Sequence, residues 1–182
     1  MRVAIAMIVV AFLPATVFAA GTIGIYFTNN SGQMVYSPGP MEMFDGYIYM
    51  HDAQCKFGAV ELMIELPPGI ANTGFILPEG ALLWTDTGGI SFIYEPMLNG
   101  ISPGYNLLCT LRLFAVDECS ASGGTLSDAP IRIVPHGITG KIRMACQYPP
   151  KLNEAQGLTS IICPQSIGTK SASWGAVKSL FN

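Results

Sequence analysis

Few side chains in this sequence have the type and spacing for chemistry. His51 and His136 are its two histidines, and no HExxH-like spacing links them. His51 and Asp52 are adjacent at the end of a strand-like run, where neighbours point to opposite faces, so they read as a polar turn and not a dyad. Glu61 and Glu65 share one face of an alternating run. A glycosidase pair would have to sit in a cleft at a defined separation; on a strand these two serve to wet an outer face. Asp117 and Glu118, with Asp128 nearby in sequence, fall short of the six to eight oxygens calcium takes. There is no GxSxG elbow, and the glycines of Ser122-Gly123-Gly124-Thr125 precede neither helix nor lysine. We therefore expect a non-enzymatic protein with no catalytic residue, metal site or cofactor.

The aromatic residues are better candidates for function. Tyr47 and Tyr49 project from one face of a short strand, and Trp84, Phe92 and Tyr94 lie in neighbouring ones. Exposed coplanar rings stack on sugar faces or anchor protein interfaces; rings in a core do neither. The candidate ligand-binding set is Tyr47, Tyr49, Trp84 and Tyr94.

Five cysteines, Cys55, Cys109, Cys119, Cys146 and Cys163, leave at least one unpaired within the chain. None has the CxxC spacing of zinc or redox sites, and spacing does not fix connectivity. Cys146 with Cys163 is the favoured pair, because the loop holding Tyr148-Pro149-Pro150 can bring them together. The alternative is that all five are small buried hydrophobes.

Period-two alternation with turn residues between runs sets the elements that position these groups. Thr22–Phe27 places Ile23, Ile25 and Phe27 on one face. Gly46–Met50 sets Tyr47 and Tyr49 opposite Ile48 and Met50. Ala59–Leu66 points Val60, Leu62, Ile64 and Leu66 inward and Glu61, Met63 and Glu65 outward, until Pro67-Pro68-Gly69 stops it. Short runs follow at Gly74–Leu77, Ala81–Trp84 and Gly89–Tyr94. Asn106–Val116 is the longest, with Leu107, Cys109, Leu111 and Leu113 on one face and Leu108, Thr110, Arg112 and Phe114 on the other; that second face is apolar enough to predict a cover or a partner. Ile131–Val134, Lys141–Cys146 and Ser160–Cys163 complete the set. Eight or nine short strands predict an all-β, two-layer antiparallel sandwich, jelly-roll or immunoglobulin-like.

The two ends differ from this pattern. Residues 1–20 carry Arg2, an apolar run from Val3 to Leu13 and the small-residue exit Val17-Phe18-Ala19, the layout of a signal peptide. Pro14 interrupts the run well short of the roughly 20 apolar residues of a membrane span, so the chain is not membrane-spanning once the leader is removed. The expected location is secreted, periplasmic or cell-surface. Residues 21–163 form the sandwich, and 164–182 a linker with a short amphipathic helical tail. There Trp174, Val177 and Phe181 make a one-sided stripe that docks on the domain or on another molecule. Charged residues are only 12% of the chain and the net charge is -3, without the clustered bases that nucleic acid requires.

The order of runs, with Gly46–Asp52, then Phe57-Gly58-Ala59-Val60-Glu61-Leu62-Met63-Ile64-Glu65-Leu66-Pro67, then Leu107-Leu108-Cys109-Thr110-Leu111-Arg112-Leu113-Phe114, resembles the cohesin-like and carbohydrate-binding-type β-sandwich family over roughly residues 22–146. It also resembles uncharacterised exported bacterial proteins, some ending in a Trp-Gly-x-x-Lys segment like that at Trp174. The resemblance implies a sandwich built for binding, with no catalytic residues to carry over. The expected partner is an unidentified protein held on a sheet face; the alternative is a glycan on the exposed aromatics.

Overall fold

The computed structural model describes residues 21–99, 104–119, 126–147 and 151–165. The leader, the Tyr148–Pro150 loop and the tail stripe of Trp174, Val177 and Phe181 lie outside the described residues. Among the described residues thirteen strands follow in order: β1 (Thr22–Tyr26), β2 (Val35–Tyr36), β3 (Met43–His51), β4 (Lys56–Glu65), β5 (Ile70–Ile76), β6 (Ala81–Asp86), β7 (Gly89–Asn99), β8 (Tyr105–Ala115), β9 (Ala129–Val134), β10 (Arg143–Cys146), β11 (Lys151–Glu154), β12 (Gln156–Gly157) and β13 (Thr159–Ile162). Among the described residues no helix is long and apolar enough to cross a membrane.

Two sheets form the layers. The first runs β12-β1-β3-β8-β5; the second runs β11-β10-β4-β9-β13-β2, with β7 also pairing β4 and β6 pairing β7. Most pairs are antiparallel, as expected, but β12 joins β1 and β13 joins β2 in parallel. β2, β11 and β12 rest on two to four residues each, too few for alternation to show in sequence.

The core lies between the layers, where alternation has sent its apolar members. Ile23, Ile25, Ile48 and Met50 of the first sheet meet Phe57, Val60, Leu62, Phe92 and Met144 of the second, all essentially inaccessible to water. At about 25 cal/mol per Å² this burial is the main force holding the layers together.

One strand departs from strict alternation. The register of β3 against β8 shifts between Ile48, opposite Cys109, and Tyr49, opposite Leu107, so Leu108 is an extra residue with no opposite number. This β-bulge buries Leu108 and Cys109 alike and takes Leu108 off the outer face predicted for it. The Leu108 carbonyl accepts a hydrogen bond from the Tyr94 hydroxyl at 3.1 Å. Tyr94 is thus a core residue, packed edge-on against Phe57, and burial pushes its phenol well above the usual range. Its expected place among exposed ligand-binding rings is corrected accordingly.

The disulfides also differ from expectation. Cys55 pairs with Cys146 and Cys119 with Cys163, while Cys109 stays free in the core. Register decides the first pair: Cys146 closes β10 opposite Phe57, which places it beside the entry to β4 where Cys55 sits. Cys163 follows β13, whose partner β9 begins just after the Cys119–Leu126 bridge. The favoured Cys146–Cys163 pair joins two cysteines that the sheet carries to separate partners.

Candidate functional site

The four predicted ligand residues do not converge. Tyr47 and Tyr49 are on the outer face of the first sheet, Trp84 is on the outer face of the second, and Tyr94 is between them. Tyr49 is nearly buried there, its hydroxyl donating to Asn29 Oδ1 at 2.8 Å, with Tyr26 and Tyr105 edge-on to it at interplanar angles of 70° and 89°. His51 sits among the same rings, 5.2 Å from Tyr26 and 5.5 Å from Tyr105, and burial lowers its pKa against a smaller raising effect of Asp52. Rings turned edge to face make a self-covering layer and no coplanar platform.

The second sheet is bare on its outer face. The register sets Leu82 opposite Ile93, Ile93 opposite Ala59, Ala59 opposite Ala145, and Ala145 opposite Leu152. Five apolar side chains therefore form one transverse row across β6, β7, β4, β10 and β11. At about 4.8 Å per strand the row spans roughly 19 Å. Leu82 is 66% exposed, Ile93 46% and Leu152 64%. Ala59 and Ala145, between the larger residues, make the middle a shallow depression that Ser91 and Arg143 also line.

The neighbouring row carries the polarity. Trp84 stands opposite Ser91, Ser91 opposite Glu61, Glu61 opposite Arg143, and Arg143 opposite Glu154. Trp84, 66% exposed, is the residue of the predicted set that lies beside the apolar row. Directly opposed residues are the unit of side-chain contact in a sheet, so a partner laid across the strands would meet an apolar line flanked by an indole and alternating charges.

Glu65, farther along the same face, makes an ion pair with Arg132 at 3.8 Å, whereas Glu61 faces His136, so the two carboxylates have separate partners and do not share a cleft. Among the described residues no group of three or more His, Cys, Asp or Glu side chains is arranged to hold a metal ion. Sequence reasoning missed Leu82, Ile93, Ala59, Ala145 and Leu152 because alternation says which residues face out, whereas register says which of them stand together.

No protein-family model and no curated protein sequence matches the chain. Its fold does match solved structures. One is a chain of the complex between CaCohA2 and a substituted CaDoc0917 at pH 5.5, with a TM-score of 0.54 and 12% identity, covering 78% of this chain and 97% of that one; CaCohA2 comes from Clostridium acetobutylicum. Another is the third ScaB cohesin of R. flavefaciens in complex with a group 1 dockerin, with a TM-score of 0.53 and 10% identity over 81% of this chain and 96% of that one. A non-cellulosomal cohesin from the hyperthermophilic archaeon Archaeoglobus fulgidus aligns at a TM-score of 0.48 with 13% identity, over 86% and 98%. The fold is a cohesin-like β-sandwich.

Proposed function

We propose that this chain is an exported, non-enzymatic binding module that docks a protein partner on the outer face of the second sheet. The observation that carries the reading is the transverse row Leu82–Ile93–Ala59–Ala145–Leu152, apolar in every position and open to solvent at three of five. Large exposed apolar patches are uncommon on monomers and mark interaction sites. The solved cohesins of like fold include ones in complex with dockerin proteins, which supports a protein as the occupant. Two disulfides suit an oxidising compartment, in keeping with residues 1–20 as a leader.

Site-specific photo-crosslinking in the native host tests the reading. A photoreactive residue at position 82 or 152 should capture one protein, and Ala59→Arg should abolish capture by placing a charge in the middle of the row. Equal capture from position 105, on the outer face of the first sheet, would overturn it. The glycan reading retains Trp84 as an exposed ring and gains support only if glycan retention is found and is lost in Trp84→Ala.

A further inference from the structure

His136 is nearly inaccessible, at 2% exposure, and sits between two carboxylates from elements distant in sequence. Its Nδ1 is 3.3 Å from Glu61 Oε1 on β4, and its Nε2 is 3.1 Å from Asp86 Oδ1 at the β6–β7 turn. Neither nitrogen is aligned as a hydrogen bond, so the ring is wedged between the two carboxylates, in close contact with both. Of the other charged groups nearby, Lys141 pairs with Glu154, and Arg143 stands opposite Glu61 in the register.

The surrounding backbone is shaped to admit this ring. Gly88 and Gly89 close the β6–β7 turn directly over it. A Cβ on Gly88 would overlap His136 Cε1, and one on Gly89 would lie 2.8 Å from Cδ2. The Gly137 amide donates to the Gly88 carbonyl at 2.6 Å. Asp86 Oδ1 also accepts from the Gly88 and Gly89 amides at 2.6 and 3.1 Å. One carboxylate thus both shapes the turn and meets the imidazole.

We propose that His136 is a positioning residue of the docking face, clamping the β6–β7 turn to β4 through Asp86 and Glu61 and thereby fixing where Leu82 and Trp84 stand. Its functional meaning rests on the docking reading above; its geometry does not. Among the described residues β6 pairs only with β7, so the outermost strand of the face depends on the hairpin's attachment. β7 itself pairs with β4 from Leu62 opposite Ile90 onward, and the segment 135–142, an excursion between β9 and β10, adds a second hold at the turn itself.

Amide hydrogen exchange on the free protein, resolved by segment, tests this without any partner. His136→Gln should speed exchange of residues 82–92 by about threefold or more, a modest local opening of the kind a single polar contact controls, while β3 and β8 keep their protection. Asp86→Asn, which retains an oxygen acceptor for the turn amides, should produce the same segmental change. The double variant should open the hairpin no further than either single one, because both remove the same contact. Additive effects, an unchanged hairpin in Asp86→Asn, or loosening spread over β3 and β8 would overturn the clamp. Should His136→Gln not fold, Asp86→Asn and Glu61→Gln give the same comparison from the exposed side. A clamp that fails here leaves capture from positions 82 and 152 untouched; absent capture with hairpin protection coupled as described removes the docking reading alone.

Discussion

The Cys55–Cys146 bridge should carry a large part of the stability of this domain. It closes a loop with a sequence separation of 91 residues, at a Cα–Cα distance of 5.8 Å. Cross-linking so long a loop removes chain entropy from the unfolded state equivalent to about 4.5 kcal/mol. Domains of this kind are stable by only about 5–15 kcal/mol in total. The bridge fastens the entry of β4 to the exit of β10, strands that already pair from Phe57 to Glu61, so the folded state gains little extra contact from it. The effect is expected to lie in the unfolded ensemble.

The perturbation is the double variant Cys55→Ala/Cys146→Ala, which leaves Cys119–Cys163 and Cys109 in place. We expect a loss of about 2–4.5 kcal/mol. With a urea slope of roughly 1.5 kcal/mol/M for a domain of this size, the midpoint falls by about 2 M. Far-UV circular dichroism is the appropriate probe, because Trp84 is already two-thirds exposed in the fold and its fluorescence should respond weakly. Thiol counting under denaturing, non-reducing conditions should find one free thiol, that of Cys109. A midpoint unmoved by the double variant, or more than one free thiol in protein recovered from an oxidising compartment, would refute the reasoning. The two loops overlap in sequence, so removing Cys119–Cys163 as well should cost less than the sum of the separate effects.

Leu62→Ala, at a core position of no exposure, should lower the unfolding free energy by about 2–5 kcal/mol in the same urea assay. Gly80 and Gly140 both have positive φ, but a Cβ on Gly80 would overlap the Glu95 carbonyl oxygen whereas Gly140 faces open space. Gly140→Ala should therefore cost about 1–2 kcal/mol from conformation alone and Gly80→Ala clearly more, with equal midpoints counting against the clash. Burial raises the Cys109 thiol well above its ordinary range, so maleimide at pH 8 should label it only after unfolding, and native-state labelling would show a more open core. Burial lowers the His51 pKa in the fold, so the unfolded chain binds the proton more readily. Stability should then fall as pH drops below the ordinary imidazole range, and His51→Gln should flatten that fall in midpoints taken at pH 7.5 and 5.5.

Much of the fold was legible because alternation reports burial directly. Val60 and Leu62 point inward and Glu61 and Glu65 outward as the pattern of β4 predicts, and Ile48 and Met50 are buried opposite Tyr47 and Tyr49. What stayed hidden depends on relations between strands. A bulge adds one residue without disturbing composition, so Leu108 and Cys109 gave no sign that both would be buried. Tyr94 reads as a surface ring until the bulge sets the Leu108 carbonyl where the hydroxyl reaches it. The disulfides follow register too, since Cys55 and Cys146 become neighbours only once β10 lies on β4. His136, isolated in sequence from any partner, meets Glu61 and Asp86 through the same pairing.

The two outer faces show why an apolar sequence face is not by itself a binding face. The second face of Asn106–Val116 is apolar, and its sequence predicts a cover. Part of that need disappears when Leu108 turns into the core, and at the Tyr105 end of the strand Tyr26, Tyr49 and Tyr105 pack against one another and His51. On the second sheet the central outward residues of the row are alanines. Ala59 and Ala145 are too small to shield the flanking Leu82, Ile93 and Leu152, and no aromatic layer spans them. Met43, Ile76 and Tyr105 stay exposed on the first face but stand in separate rows of its register, whereas on the second sheet the apolar positions share one row across five strands. The physical case for docking therefore rests on the small residues at the middle of the row as much as on the large ones at its ends. Filling that depression from within, by Ala59→Leu, should impair capture from position 82 even though it makes the face more apolar.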